Sequence, residues 1–164
     1  MVSEVYPGVF RISFPMPDPL ENVHSYLIEG DEDHVLVDTG WSDFETLLYG
    51  VKETGIDPGS ITQLVLTHSH PDHTGSVEEV RKHTQAKVFM HPYESLYFGA
   101  MKSVETEMRD WFEINGVPKG SIEGLISAFG VPEPPEVDAK IEPEHVFSVG
   151  NLRWRAIWTP GHSP

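Results

Sequence analysis

Cysteine is absent from the 164-residue chain, which excludes disulfide bonds and thiolate metal sites. No apolar run approaches the roughly 18 residues that a membrane-spanning helix needs. Basic residues are scarce, since 11 Lys and Arg face 26 Asp and Glu, for a formal net charge of −15. Such a charge disfavours nucleic acids and anionic membrane surfaces as partners. The N-terminus carries no basic or apolar segment typical of a secretory signal, so we expect a cytoplasmic protein.

The rest of the composition is typical of one globular domain, residues 1–164. Hydrophobic residues make up 38% of the chain and charged residues 23%. A chain of this length can bury roughly 68 to 70% of its unfolded surface. Short β-rich runs bounded by turn residues predict strands, and Gly150 and Asn151 predict a hairpin turn. The predicted strands are Val9–Phe14, Val23–Ile28, 35–37, Ile61–Leu66, 86–90, Val146–Val149 and 152–158.

Two helices are predicted between these strands. Apolar residues spaced i, i+3, i+4 and i+7 predict one helix over 42–55, with Gly55 as its C-terminal cap. The second helix, over 76–84, is expected to open with a capping box formed by Ser76 and Glu79. Because this second helix lies between two predicted strands, those strands are predicted to be parallel.

From about residue 92 to residue 140 the pattern changes to helical spacing with many aromatic and Met side chains. We expect a helical insertion there, with a stiff connector at 131–135. The aromatic side chains could line a substrate pocket or form a lid. Alternatively they could simply pack in the core, as an amphipathic stripe usually does.

Histidine is concentrated in one short motif. Residues 68–73 read His-Ser-His-Pro-Asp-His directly after an apolar predicted strand. Four potential metal ligands therefore lie on a strand-to-helix loop, where side chains can converge. Imidazole and carboxylate ligands suit Zn²⁺ and similar cations, and the spacing lets two adjacent pairs serve two adjacent metal positions. The alternative is a polar surface loop in which Asp72 only caps the following helix.

With these residues the chain resembles the metallo-β-lactamase superfamily, whose HxHxDH motif is matched at residues 68–73. Residues 37–40 (VDTG) and 159–162 (TPGH) resemble two further landmarks of the family and occur in the family's order. The resemblance implies an α+β fold, the four-layer αββα sandwich. It also implies a centre of one or two metal ions at one edge of the two sheets.

The resemblance implies roles for individual residues. The first metal ion would be bound by three histidines, His68, His70 and His162. Asp72 and His73 would belong to the second metal ion, and Asp72 would also orient the nucleophile or transfer its proton. Asp38 would support the site. The alternatives are that Asp38 is a turn residue after a strand and that His162 is only a loop histidine.

The other histidines are not assigned to the site. We expect His91 to make structural hydrogen bonds and His24 to lie at a half-exposed strand position. Three more, His34, His83 and His145, lie in polar surroundings and are expected on the surface.

In the family the sandwich continues beyond TPGH with a bridging Asp and a further His. The given sequence ends at Pro164, so we expect only about the N-terminal half to two-thirds of the sandwich here. The inner face of the sheet, including Val23–Ile28 and Ile61–Leu66, would then lack an intramolecular partner. Such a face favours association with another chain, for example in a homo-oligomer.

The function implied by the resemblance is hydrolysis of a small-molecule ester, thioester or lactone by a metal-bound hydroxide. The hydroxyacylglutathione-hydrolase-like branch is the most similar one. Zinc is the expected ion, with iron or manganese as alternatives. Two other functions remain open: a mononuclear iron dioxygenase of the persulfide type, and a truncated binding module without catalysis.

Overall fold

The computed structural model describes residues 1–15, 22–96, 135–142 and 144–163. The strands in these ranges are β1 (Val2–Tyr6), β2 (Val9–Phe14), β3 (Val23–Ile28), β4 (His34–Val37), β5 (Ile61–Leu66), β6 (Lys87–Met90), β7 (Ala139–Lys140), β8 (Val146–Val149) and β9 (Leu152–Arg155). The helices are α1 (Phe44–Glu53), α2 (Pro71–Thr74) and α3 (Val77–His83), with a 3₁₀ turn at Pro58–Ser60. Residues 92–96 are also helical, but most of the predicted insertion at 92–140 lies outside the described residues.

Strands β1 to β7 form one sheet in chain order. The first four are antiparallel neighbours, whereas β4, β5, β6 and β7 run parallel. Helix α1 connects β4 to β5, and α2 and α3 connect β5 to β6, so the predicted parallel crossover is confirmed. Parallel strands end at the same edge of a sheet, and loops after β4, β5 and β6 therefore meet there.

One face of this sheet packs against α1 and α3. Leu36 of β4 and Leu64 of β5 belong to the same buried cluster as Leu47 of α1 and Val80 of α3. Each of these side chains is at most 1% exposed. Helix α1 ends two residues before Gly55, whose φ of 85° suits the predicted C-terminal cap.

The opposite face of the sheet is covered in part by the β8–β9 hairpin. Phe147 and Val149 of the hairpin pack with Val35 and Val65 of the sheet, and none of the four is more than 5% exposed. The expectation that the inner face lacks an intramolecular partner is therefore wrong at these positions, because the hairpin supplies apolar contacts. The described residues thus form a helical layer, a sheet and a hairpin layer, an α+β arrangement.

Two local predictions were wrong. Ser76 precedes α3, but its hydroxyl donates a hydrogen bond to the Trp41 carbonyl instead of capping the helix. His34 is only 8% exposed and not on the surface, because it begins a central strand and accepts a hydrogen bond from Gly30 N at 3.1 Å. None of the helices in the described ranges is long and apolar enough to cross a bilayer.

Candidate metal centre

The predicted ligands meet at the edge where the parallel strands end. Asp38 follows β4, the 68–73 motif follows β5, and residues 91–96 follow β6. Strand β9 belongs to the hairpin layer, and the segment after it brings His162 to the same edge. The site is therefore built from loops, held by a sheet on one side and a hairpin on the other.

Three imidazoles form the centre of this edge. Ligand atoms of His68, His70 and His162 all lie within 4.8 Å of one another. His68 Nε2 and His70 Nδ1 are 3.1 Å apart, and the His70 and His162 ring centroids are 4.6 Å apart. His68 is buried, His70 half-buried and His162 exposed. The fold thus brings together the three residues that the sequence assigned to one metal position.

Asp38 fixes the ring orientation of His73. Its carboxylate is 4% exposed, and Oδ2 lies 2.7 Å from His73 Nδ1. Because a carboxylate only accepts hydrogen bonds, Nδ1 carries a proton, and in the neutral ring Nε2 presents its lone pair. Asp38 also has a φ of 58°, a left-handed conformation that Asp tolerates better than most residues. This contact with His73 fits the expected supporting role better than that of a turn residue alone.

The same carboxylate also acts on His68 through Thr67. Asp38 accepts hydrogen bonds from Thr67 N at 2.8 Å and from the Thr67 hydroxyl at 2.7 Å. Since that hydroxyl has one proton and donates it to Asp38, Thr67 Oγ1 must accept from His68 Nδ1, 3.0 Å away. His68 Nε2 is then left with its lone pair towards His70. A hydrogen bond of this kind is how proteins orient a metal-binding imidazole.

Asp72 and His73 form a second pair beside the three histidines. Asp72 Oδ2 lies 3.6 Å from His73 Nε2, and the His68 and His73 ring centroids are 4.1 Å apart. The N-terminal capping position of α2 is occupied by His70, and Asp72 lies inside the first turn. The capping role that was the alternative for Asp72 is therefore not supported.

The electrostatics of the first position suit metal binding. Burial, followed by the neighbouring histidines, lowers the pKa of His68 to about 3. Burial and His162 also lower the pKa of His70, against the opposing effect of Asp72 and Glu94. Both imidazoles are therefore neutral near pH 7, the form in which histidine binds metals.

His73 behaves differently from these two histidines. Burial alone would lower its pKa, but the hydrogen bond and charge of Asp38, together with the charge of Asp72, raise the pKa above its ordinary value. A cation at the second position would therefore have to displace a proton from His73 more often than from His68.

Two residues of this edge were not identified from the sequence. Thr67 connects Asp38 to His68, and Glu94 accepts a hydrogen bond from Ser69 N at 2.9 Å. The only signal for Thr67 is its place directly before the motif, and for Glu94 its place just after β6 at the same sheet edge. As expected, His91 is not a member of the cluster. It accepts a hydrogen bond from Tyr93 N at 3.4 Å.

A cavity of about 280 Å³ adjoins the site on the hairpin side. Thr67 and Ser163, the sequence neighbours of His68 and His162, are among its lining residues. Most of the remaining wall is apolar or aromatic, and it includes Val65, Ile141, Trp154, Ile157 and Trp158. The His91 ring stacks on Trp158 at the rim, with centroids 5.6 Å apart and an interplanar angle of 9°.

Residues 18–164 match the family described as the metallo-beta-lactamase superfamily. The probable metallo-hydrolase YqgX of Bacillus subtilis (strain 168) is 27% identical over 152 residues, which cover 91% of this chain and 60% of that protein. A more distant relative is the atrochrysone carboxyl ACP thioesterase dmxR1 of Cryptosporiopsis sp. (strain 8999), 24% identical over 170 residues, with 99% of this chain and 39% of that protein covered.

A solved structure has the same fold. A metallo-beta-lactamase family protein of Thermus thermophilus superposes with a TM-score of 0.77 at 26% identity, over 98% of this chain and 54% of that one. The chain thus spans about 60% or less of the length of these relatives. The family match, the shared fold and the order of the three motifs lead to one conclusion: the chain belongs to the metallo-β-lactamase superfamily.

Proposed function

We propose that the full-length protein is a metal-dependent hydrolase of small-molecule esters, thioesters or lactones. The observation that carries the proposal is the convergence of His68, His70 and His162 beside the Asp72–His73 pair. Three imidazoles and a neighbouring carboxylate are a donor set typical of hydrolytic zinc sites.

The residues present fit such an ion. Two nitrogens that each lie about 2.0 to 2.1 Å from one zinc ion are at most about 4.2 Å apart. His68 and His70 already satisfy this limit, and a small movement of the exposed His162 ring would complete it. A divalent cation held there would act as a Lewis acid on the substrate carbonyl and would lower the pKa of a coordinated water to about 7.

Among the described residues, Asp72 is well placed to handle the proton of the attacking water. Its carboxylate is only partly exposed, lies 3.6 Å from His73 Nε2, and is close enough to His70 for its charge to act on the pKa of that ring. From there Asp72 would orient the water by accepting its hydrogen bond, and would hold the proton until the leaving group takes it. His73 would bind the second ion through Nε2, because Asp38 holds the Nδ1 proton.

Three observations support this substrate class. The adjoining cavity is large enough for a small acyl group and has mainly apolar walls. The net charge of −15 disfavours polyanionic substrates such as nucleic acids. One distant relative is named as a thioesterase, which supports thioesters among the three candidate classes.

The test uses purified full-length protein. Its metal content is measured by mass spectrometry, and the protein is assayed on a panel of thioesters, lactones and phosphodiesters before and after chelation. We expect zinc to restore hydrolysis of a thioester or lactone. The variant His162→Ala should lose this activity, whereas His83→Ala, which changes an exposed histidine on α3, should keep it.

Three results would contradict the proposal. One is hydrolysis of phosphodiesters alone, and another is full activity of His162→Ala. The third is tightly bound iron together with oxygen uptake on a persulfide, which would establish the dioxygenase alternative.

A further inference from the structure

Glu94 is a buried carboxylate that the proposed chemistry does not use. It lies in the helical residues 92–96 after β6 and is 2% exposed. Its Oε2 accepts a hydrogen bond from Ser69 N at 2.9 Å. Its Oε1 is buried and has no hydrogen-bond partner among the described residues.

Such an arrangement is costly for folding. A buried carboxylate loses its hydration, and an unsatisfied buried oxygen costs about 1 to 3 kcal/mol or more. A Met or Leu at this position would avoid both costs. The benefit of Glu94 must therefore be sought in what it contacts, and its one hydrogen bond among the described residues goes to the metal-binding motif.

The contacted amide has a special place in that motif. Ser69 is fully buried and stands between His68 and His70. The orientation of the peptide between His68 and Ser69 sets the backbone direction from His68 to His70. A rotation of this peptide would turn the two imidazoles away from each other, although His68 Nε2 and His70 Nδ1 now lie 3.1 Å apart.

We infer that Glu94 is a positioning residue of the metal centre, which holds the peptide between His68 and His70 in the orientation that directs both imidazoles at one ion. The inference rests on the proposed metal centre, and it assigns to Glu94 no contact with substrate or metal.

Two conservative variants distinguish the effect of side-chain length from the effect of charge. Glu94→Gln keeps an oxygen at the distance of Ser69 N but removes the charge, whereas Glu94→Asp keeps the charge but shortens the side chain by one methylene group. The control is Glu142→Asp. Glu142, like Glu94, lines the cavity beside the candidate metal centre, but its side chain is exposed. Zinc affinity is measured by competition with a chelator, and the cobalt-substituted proteins are compared by their visible absorption spectra.

We expect Glu94→Asp to bind zinc about 10- to 100-fold more weakly, the usual effect of losing a hydrogen-bond partner behind a metal site. Its cobalt spectrum should also change. Glu94→Gln and Glu142→Asp should stay within about threefold of the unmodified protein. Affinity is measured well below each variant's melting temperature, so that a loss of stability alone leaves it unchanged.

Two outcomes would overturn the inference: wild-type affinity and spectrum in a folded Glu94→Asp variant, or an equal loss in Glu94→Gln. If Glu94→Asp does not fold, Glu94→Met takes its place, because it removes the acceptor of the Ser69 hydrogen bond without leaving a buried carboxylate; wild-type zinc affinity and cobalt spectrum in that variant would overturn the inference. Failure of the unmodified protein to bind any metal would instead refute the metal centre itself.

Discussion

Replacing Asp38 by Asn should disable the metal centre while leaving most of the fold intact. The asparagine oxygen can still accept the hydrogen bond from Thr67 N, now 2.8 Å from Asp38 Oδ1. Its amide group would then take the place of Oδ2, which at present accepts from His73 Nδ1 at 2.7 Å. Because that amide donates, His73 must move its proton to Nε2 or lose the contact.

The magnitudes follow from the number of hydrogen bonds affected. Oδ2 accepts two hydrogen bonds, from His73 Nδ1 and from the Thr67 hydroxyl, and both lose this acceptor, whereas the bond from Thr67 N is kept but becomes neutral. The free energy of unfolding should therefore fall by about 2 to 5 kcal/mol. With the lone pair on the wrong ring nitrogen, zinc affinity should fall by about 10- to 100-fold. Because zinc binding is measured on the folded protein, a loss of stability does not lower the affinity by itself, and the fall in affinity reports the change at the His73 ring.

The assay combines zinc titration with nitrogen NMR of the His73 ring, which reports directly which nitrogen is protonated. Asp43→Asn is the matched control, because Asp43 accepts hydrogen bonds from the amide and hydroxyl of Thr46 as Asp38 does from those of Thr67. Asp43 has no histidine partner among the described contacts. Unchanged zinc affinity in Asp38→Asn, or a His73 ring that keeps its Nδ1 proton, would refute the reasoning.

Three further changes test other parts of the structure. Asp72→Ala should lower turnover by at least about 100-fold with little effect on thermal stability, and a variant that keeps the wild-type rate would remove Asp72 from the mechanism. Gly75→Ala should lower the free energy of unfolding in urea by about 1 to 3 kcal/mol, because the new Cβ would lie 2.6 Å from backbone atoms of residues 41 and 42; Gly59→Ala, with 3.6 Å of space, is its control. In metal-free protein, His68 has a pKa of about 3 when folded against 6.5 when unfolded, so the unfolded state binds the proton more readily. Stability should therefore fall as the pH drops from about 6.5 towards 3, by at most about 5 kcal/mol, and His68→Gln should flatten this decline.

The sequence predicted the central strands because burial leaves a pattern in them. The bounds of Ile61–Leu66 agree with β5, whose apolar run packs on both faces of the sheet. By contrast, β1 went unrecognised, since the burial pattern of Val2–Tyr6 shows no alternation of buried and exposed residues. Strand β7 has two residues and exists only through pairing with β6, which no local pattern indicates.

The residues of the candidate site also differ in whether the sequence could predict them. Ligand residues that lie together in the motif could be predicted, because their spacing in sequence is itself the signal. Glu94 could not, since its contact with Ser69 spans 25 positions and depends on how β5 and β6 pair. The failed capping box has a similar cause: tertiary packing brings the Trp41 carbonyl to the Ser76 hydroxyl, and the hydroxyl donates to it.

His162 follows the β8–β9 hairpin along the chain, whereas His68 and His70 lie on the loop after strand β5 of the sheet. An ion held by all three would therefore cross-link the hairpin layer to the sheet, which pack together through apolar side chains. Binding to the folded state alone adds about 2.7 kcal/mol when the free ion is at about 100 times its dissociation constant. This stabilisation should be largest in the exposed segment 157–162. Metal binding should therefore slow amide exchange and proteolysis in this segment more than it slows them in the sheet.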